Sequence, residues 1–195
     1  MKINRPRSKQ PIPEDAEVVF KGVIFEVYQW KQRMYDGTER VFEKVKRPDT
    51  VVVFPVLDDG RIVLVEEEQP GKELSIGGAG GRVNEGEDVL EAVKRELMEE
   101  TGYEAERFVL WSAEHPASKI DWVVYTFVAK GLRKSEEPEH DGGEKISLRN
   151  VTLDEFLELG TRGKFSEKDL TMKMTKARFE PGTRSEIEEL FDPAS

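Results

Sequence analysis

Alternating apolar and polar residues between positions 16 and 47 predict antiparallel strands at the start of the chain. The turn-forming pair Asp36-Gly37 divides this region, and apolar residues return from Val41 to Val45. The apolar positions before the turn are Phe20, Val23, Phe25, Val27, Tyr28, Trp30 and Met34. We therefore predict an N-terminal antiparallel β hairpin.

A second hairpin is predicted directly after Pro48-Asp49. Two apolar runs, at 51–57 and 61–65, flank the turn-forming sequence Asp58-Asp59-Gly60. Further along, four of the five residues at 77–81 are glycine. Because glycine is the residue most tolerant of irregular backbone, we expect a loop there.

Apolar residues at helical spacing predict a helix over 88–101. Its apolar stripe contains Val89, Leu90, Val93 and Leu97, and Gly102 suits a left-handed C-terminal cap. The rest of the pattern predicts strands at 108–111, 122–129 and 146–151, short helices at 154–159 and 185–191, and a loop at 136–144. Many short strands with a few helices predict an α/β sandwich with a mixed sheet.

Three glutamates cluster at the end of the predicted helix. Glu96, Glu99 and Glu100 stand at i, i+3 and i+4, so they share an arc about 100° wide. Acidic side chains near a helix C-terminus are disfavoured by roughly 0.3–1 kcal/mol each, and like charges at this spacing repel. A hard divalent cation with oxygen ligands reverses that repulsion, and Mg²⁺ commonly combines carboxylates with substrate phosphates. We interpret the cluster as a metal site; the alternative is a solvated charged helix face.

Composition narrows the chemistry. The net charge of −10 over 195 residues argues against binding nucleic acid backbone or an anionic membrane. With no cysteine and only His115 and His140, thiolate and histidine-rich metal sites are excluded, so acid/base chemistry falls to carboxylates. The longest apolar run is too short to cross a bilayer and no secretory signal precedes it, so we expect a cytoplasmic protein.

The glutamate cluster belongs to a longer pattern. Five residues separate Gly81 from Glu87, and seven separate Glu87 from Arg95-Glu96-Leu97. One residue separates Leu97 from Glu99-Glu100, and one more separates Glu100 from Gly102 and the apolar Tyr103. This pattern resembles the Nudix box. The resemblance implies an α/β/α sandwich with a mixed sheet, here preceded by the N-terminal hairpin, and hydrolysis of a nucleoside diphosphate linked to another group.

The resemblance also assigns roles within the box. Glu96, Glu99 and Glu100 match the metal-binding and base-associated glutamates of the family, while Glu87 and Arg95 match a pair that braces the preceding loop against the helix. A backbone carbonyl at Gly80 or Gly81 would complete the coordination of Mg²⁺ or Mn²⁺. The alternative for these glycines is a flexible turn.

Features outside the box resemble the ADP-ribose pyrophosphatase branch of the family. They are the N-terminal strands, Glu73-Leu74 before the glycine-rich stretch, Pro116 after the box, and the late acidic stretch 136–144. In that branch a glutamate of a late loop often acts as general base. Glu144 is therefore the first candidate, ahead of Glu139 and Asp141, although a solvated acidic loop is an equal alternative.

Contacts to the substrate follow from the same comparison and from residue chemistry. Trp30 and Tyr28 offer a π-face for a nucleobase, Arg47 a cation for phosphate, and Glu73 a polar group next to the glycine-rich stretch. A strand aromatic is more often part of a core, which is the alternative for Trp30. We expect residues 1–47 to form an arm for dimerisation or substrate binding, residues 48–195 to form the hydrolase domain with C-terminal helices, and the protein to be a homodimer.

The predicted activity is metal-dependent hydrolysis of a nucleoside diphosphate sugar such as ADP-ribose to a nucleoside monophosphate and a sugar phosphate. One alternative keeps the chemistry and changes the substrate, for example to an oxidised nucleoside triphosphate. Another is a Nudix-fold ligand sensor without turnover, which has no reason to keep Glu96, Glu99 and Glu100 together.

Overall fold

The computed structural model describes residues 3–135, 145–162 and 164–195, which form three sheets and four helices. The strands are β1 (Glu17–Lys21), β2 (Glu26–Arg33), β3 (Glu39–Lys46), β4 (Thr50–Pro55), β5 (Ile62–Glu68), β6 (Ser75–Gly77), β7 (Ala79–Arg82), β8 (Tyr103–Glu114), β9 (Ile120–Asp121), β10 (Val124–Lys134) and β11 (Lys145–Val151). The helices are α1 (Val89–Thr101), α2 (Leu153–Leu159), α3 (Thr171–Phe179) and α4 (Pro181–Leu190).

The N-terminal sheet has the order β1-β2-β3-β9. β2 and β3 form the predicted hairpin, in register from Glu26↔Lys46 to Arg33↔Glu39. A turn in which the Gly22 N–H donates to Phe25 O at 2.8 Å adds a further strand, β1, to the predicted pair. The short β9 runs parallel to β3 and connects this sheet to the rest of the chain.

The second predicted hairpin is confirmed only at its turn. The Leu57 N–H donates to Arg61 O at 2.9 Å beside an antiparallel bridge between Val56 and Ile62. Beyond the turn, β4 lies in a sheet of order β7-β4-β10-β8, while β5 lies in another sheet of order β11-β5-β6. The reason is burial, because Val51, Val53 and Phe54 of β4 are all fully buried and need neighbours on both faces. β4 gains them by pairing in parallel with β10, which puts it inside a sheet rather than in a hairpin.

The glycine-rich stretch is not the loop that we predicted, since all of its residues except Gly78 belong to β6 or β7. β7 pairs with β4 from Thr50↔Arg82 to Val53↔Ala79. A Cβ on Gly80 would overlap the carbonyl of Val51 and lie 3.0 Å from the Cα of Val52. The glycine here permits a close approach between two strands.

Helix α1 begins and ends as predicted. The Asp88 side chain accepts a hydrogen bond from the Leu90 N–H at the N-terminus, and Gly102 ends the helix with a φ of 70°. Val93 and Leu97 are buried in a core with β4 and β10. This packing fixes the orientation of the helix, and with it the direction of the glutamates in its last turns.

A second core lies on the opposite face of β4. It joins β4 and β5 to the three C-terminal helices through an aromatic cluster of Phe54, Trp111, Phe156, Phe165 and Phe191. With α1 on one side and α2–α4 on the other, the chain has the predicted layered α/β architecture. α3 was not predicted because only Met174 and Ala177 are buried along it. No helix in the described ranges is long and apolar enough to cross a membrane.

Candidate active site

Arg95 lies at the centre of the box contacts. Its Nε and Nη2 atoms donate to the two oxygens of Glu87 at 2.9 and 3.1 Å. Its Nη1 atom donates to Glu96 Oε1 at 2.7 Å and to Glu99 Oε2 at 3.0 Å. Nη2 also donates to the backbone oxygen of Arg82 at 2.9 Å. One guanidinium thus joins the helix, two of its glutamates and the segment between β7 and α1.

Glu87 is held by Arg95 and by the turn before α1. Besides Arg95, its carboxylate accepts a hydrogen bond from the Asn84 N–H at 2.8 Å. The ion pair with Arg95 and the bond from Asn84 lower the pKa of Glu87. Glu87 and Arg95 therefore lie in the direct contact expected of a bracing pair, with Glu87 holding the turn before α1.

Glu96 is the buried member of the cluster, with 8% of its surface exposed. Its carboxylate rests against Gly81, where a Cβ would lie 2.6 Å from Glu96 Cδ. Burial raises the pKa of Glu96, and the neighbouring Arg95 opposes that rise. Glycine at position 81 therefore creates the space that a buried carboxylate occupies beside the strand.

Glu99 and Glu100 complete the cluster on different sides. The Glu99 side chain is 48% exposed. Glu100 Oε2 accepts a hydrogen bond from the Gly80 N–H at 3.2 Å, which connects the helix directly to β7. Glu96 and Glu100 thus contact the glycine end of β7, while Glu99 pairs with Arg95.

The donor set fits a hard divalent cation. It consists of carboxylate oxygens, one of them buried, and of backbone beside Gly80 and Gly81. The positive charge among these oxygens comes from Arg95, which contacts two of them. No three acidic or histidine side chains in the described part of the chain already converge as ligands. Glu96 and Glu99 would turn from Arg95 to a metal, while Glu87 retains the guanidinium.

A pocket of about 490 Å³ borders this cluster. Its wall includes Glu100 and the glycines of β6 and β7 on one side and Trp122 on another. The other lining residues are Thr50, Val51, Val52, Val65, Glu67, Gln69, Lys72, Ser75, Ile146, Ser166 and Glu167. A cavity of this size can hold part of a nucleotide.

Arg47 stands beside the pocket rather than in its wall. Its guanidinium lies 4.5 Å from the ring centroid of Trp122, which does line the pocket. Its Nε atom is buried and has no hydrogen-bond partner among the residues described. Burial and the nearby charge of Arg82 lower the pKa of Arg47. Arg47 and Arg82 together, with the unused Nε donor of Arg47, favour binding of an anion at this position.

The other residues predicted to bind substrate lie elsewhere. Trp30 is 7% exposed and packs against Phe42, with 6.1 Å between ring centroids. The hydroxyl of Tyr28 donates to Glu26 at 2.8 Å. Glu73 is exposed and does not line the pocket. Within this chain, none of these three side chains reaches the pocket next to the box.

The candidate base residues Glu139, Asp141 and Glu144 lie outside the described residues, as does His140. His115 Nε2 lies 3.1 Å from the backbone oxygen of Pro6, away from the box. Sequence reasoning missed Trp122 and Glu167 as pocket residues, because a strand-edge Trp and a Glu in a charged segment carry no local signal. Only the fold brings them next to β6 and β7.

Replacing Glu87 with Gln should reduce both stability and activity, because it weakens two charge-assisted hydrogen bonds to Arg95. We expect a loss of about 1–2 kcal/mol in the free energy of unfolding, measured by urea titration. The exposed Glu85, replaced by Gln, is the matched control and should change neither property. A fully stable but inactive Glu87→Gln protein would contradict the bracing role.

Comparison with known proteins agrees with this geometry. The family model described as NUDIX domain matches residues 46–173. An ADP-ribose pyrophosphatase of Bacillus subtilis (strain 168) is 31% identical over 146 residues, covering 73% of this chain and 79% of that protein. A methanol dehydrogenase activator of Bacillus methanolicus is 33% identical over 147 residues, with the same coverage.

More distant relatives extend the match. The ADP compounds hydrolase NudE of Escherichia coli (strain K12) is 27% identical over 139 residues, covering 67% of this chain and 74% of that protein. A crystal structure of an ADP compounds hydrolase superposes with a TM-score of 0.70 at 24% identity, covering 89% of this chain and 95% of that one, which shows the fold. The match to the NUDIX model covers more than half of the chain, including the box, and this chain belongs to the Nudix family.

Proposed function

We propose that this protein hydrolyses the pyrophosphate bond of a nucleoside diphosphate sugar, with ADP-ribose as the preferred substrate, to a nucleoside monophosphate and a sugar phosphate. The similarity to the Bacillus subtilis ADP-ribose pyrophosphatase over most of both chains supports the choice of substrate. The observation that carries the proposal is the position of Glu100, which belongs both to the acidic cluster of α1 and to the wall of the pocket.

Each part of the site has a separate task in this reaction. Glu96, Glu99 and Glu100 would hold Mg²⁺ or Mn²⁺, which when bound neutralises charge developing on the phosphoryl oxygens and orients a water. Arg95 and Glu87 keep α1 and the preceding turn in fixed relative positions. Arg47 supplies a cation for a phosphate oxygen, and Trp122 offers an aromatic wall for the bound nucleotide.

The water needs a base, and we propose a carboxylate of 136–144 for this role, with Glu144 first and Glu139 and Asp141 as alternatives. This proposal rests on the family branch that the sequence resembles. A second reason is that the carboxylates of the box already have other partners in this proposal, namely the metal and Arg95.

Replacing Glu144 with Gln should lower kcat about 10²–10⁴-fold with little change in metal affinity, as expected for loss of a general base. The measurement is kcat as a function of Mg²⁺ concentration. Glu139→Gln and Asp141→Asn test the two alternative base residues of the same segment. If all three variants keep near-normal rates, the base lies within the box, at Glu99 or Glu96.

The proposed reaction is tested by incubating the protein with Mg²⁺ and a panel of nucleotide sugars and nucleoside triphosphates, and by separating the products. We expect ADP-ribose to give AMP and ribose 5-phosphate with the highest kcat/KM. A preference for an oxidised nucleoside triphosphate would overturn ADP-ribose as the substrate but keep metal-dependent hydrolysis as the reaction. Tight binding of a nucleotide without any turnover would instead support a ligand sensor.

We also propose a homodimer formed through the arm of residues 1–47. Several apolar side chains of this arm, including Val18, Phe20, Val23 and Val41, are exposed in the single chain. Burying them against a second copy would remove an apolar patch that a monomer rarely shows. Light scattering after size exclusion should give twice the chain mass. We place the activity in the cytoplasm, which fits a nucleotide substrate.

A further inference from the structure

A buried carboxyl lies in the pocket at the end formed by β6. Glu167 is 8% exposed, and it lines the 490 Å³ cavity together with Gly77, Gly78 and Ser166. Its Oε2 atom is buried and has no hydrogen-bond partner among residues 3–135, 145–162 and 164–195. Buried polar atoms are almost always hydrogen-bonded, so an atom of this kind facing a cavity points to a ligand.

The chain holds Glu167 in this position by main-chain pairing. The Ile76 N–H donates to Lys164 O at 3.0 Å, and the Ser166 N–H donates to Ile76 O at 2.9 Å. The segment before Glu167 thus lies along β6 like a further strand. This pairing fixes the main chain next to Glu167 beside the pocket.

Gly77 provides the space for the carboxyl. A Cβ at this position would lie 2.6 and 2.7 Å from the two carboxyl oxygens of Glu167, and 2.9 Å from the Cβ of Ser166. A side chain at position 77 would therefore collide with Glu167 and Ser166. The glycine of β6 and the glutamate of the opposite segment therefore form one built site, in the same way as Gly81 and Glu96.

The protonation state of Glu167 restricts what it can bind. Burial raises the pKa of its carboxyl to about 8, an effect that Asp169 increases while the Gly78 N–H and Lys168 oppose it. Below that pH the group is mainly neutral and presents one O–H donor and one carbonyl acceptor. Such a group suits an uncharged partner.

Phosphate fits this end of the pocket poorly. Among the described residues that line the pocket, Lys72 is the one Lys or Arg, and its ammonium is paired with Glu67 at 3.1 Å. The cation with an unused donor, Arg47, lies over the indole of Trp122 instead. The phosphates are therefore expected near Arg47 and the acidic cluster, and an uncharged part of the substrate near Glu167.

We propose that Glu167 determines substrate specificity by hydrogen bonding, in the pocket beside Gly77, to an uncharged donor–acceptor group of the nucleotide sugar. That group is a sugar hydroxyl or the edge of the nucleobase, and the two share the same chemistry toward a neutral carboxyl. The inference rests on the proposed function, since it assumes that the pyrophosphate lies at the box.

The first test compares Glu167→Met, Glu167→Gln and the exposed control Glu186→Gln with the wild type, using ADP-ribose and Mg²⁺. Glu167→Met should raise KM about tenfold or more and keep kcat within about threefold, as expected for one lost hydrogen bond. Glu167→Gln keeps a donor and an acceptor and should restore KM to within about threefold of the wild type. Glu186→Gln, whose side chain does not line the pocket, should change neither constant.

A second measurement separates the two sources of the hydrogen-bonding group. Calorimetric titration of Glu167→Met with AMP and with ribose 5-phosphate, each with Mg²⁺, should show weaker binding of only one product. Weaker AMP binding assigns Glu167 to the nucleoside half of the substrate, and weaker ribose 5-phosphate binding assigns it to the sugar half. Thermal unfolding should show a Tm at or above that of the wild type, because Met removes an unpartnered buried polar group.

The proposal is overturned if folded Glu167→Met binds both products and ADP-ribose as the wild type does, or if Glu167→Gln is as defective as Glu167→Met. Should Glu167→Met fail to fold, Gly77→Ala displaces the carboxyl by its Cβ and should raise KM in the same way. If the wild type hydrolyses no nucleotide sugar but Glu167→Met still weakens binding of one product, the proposed function fails and this inference stands.

Discussion

Replacing Glu99 or Glu100 with Gln is expected to lower kcat for the best substrate about 10³-fold, because each change removes a charged oxygen from the proposed metal site. The fold should survive. The Glu99 side chain is 48% exposed, and exposed ion pairs such as its contact with Arg95 contribute little to stability. The measurement is kcat at saturating substrate across a range of Mn²⁺ and Mg²⁺ concentrations, with circular dichroism to check folding.

The same helix offers a matched control for this experiment. Glu91 lies in the first turn of α1 and pairs with Lys94 at 2.8 Å, so Glu91→Gln removes an acidic charge from the helix without touching the cluster. It should leave kcat unchanged. Wild-type turnover in Glu99→Gln or Glu100→Gln at limiting metal would show that the cluster does not hold the ion.

Gly81→Ala should lower kcat about 10²-fold. The new Cβ would lie 2.6 Å from Glu96 Cδ, so the buried carboxylate must shift, and a displacement of about 1 Å in a catalytic group can cost that much. Its effect on unfolding should be small, because the neighbouring atoms belong to a side chain that can turn. The readouts are kcat and the urea midpoint of the same preparation.

Gly80→Ala, one residue earlier, is the informative contrast. Its Cβ would overlap the backbone carbonyl of Val51 and approach the Cα of Val52 at 3.0 Å, and neither belongs to a movable side chain. We expect a loss of about 1–3 kcal/mol in the free energy of unfolding, typical of overpacking. Equal stability losses in both variants would mean that the space beside Gly81 serves packing rather than Glu96.

Helix α1 and its glutamates were predictable because their signals are local. All of them lie within the helix or next to it: a stripe of Val and Leu at helical spacing, Asp88 at the start and Gly102 at the end. The contact between Glu87 and Arg95 follows from the family pattern. Local sequence therefore specified the part of the site that one helix and its preceding turn contain.

The pocket was not predictable from the same reasoning. Glycines at 77–81 favour a loop when considered alone, and only the pairing of β7 with β4 shows that they permit close contact between strands. Glu167 and Trp122 reach the pocket through pairings with β6 and β4 that join distant parts of the chain. Trp30, chosen for its π-face, packs on Phe42 because tertiary burial overrides residue chemistry.

The parallel pairing of β4 with β10 has a consequence for how the chain reaches its fold. Thr50 pairs with Val124, and the intervening chain contains β5, both glycine strands, α1 and β8. Contacts between residues so far apart slow folding, because the loop must close before the pairing stabilises it. During synthesis the apolar β4 leaves the ribosome long before β10. We therefore expect slow refolding in stopped-flow tryptophan fluorescence, and aggregation of nascent chains that end before β10.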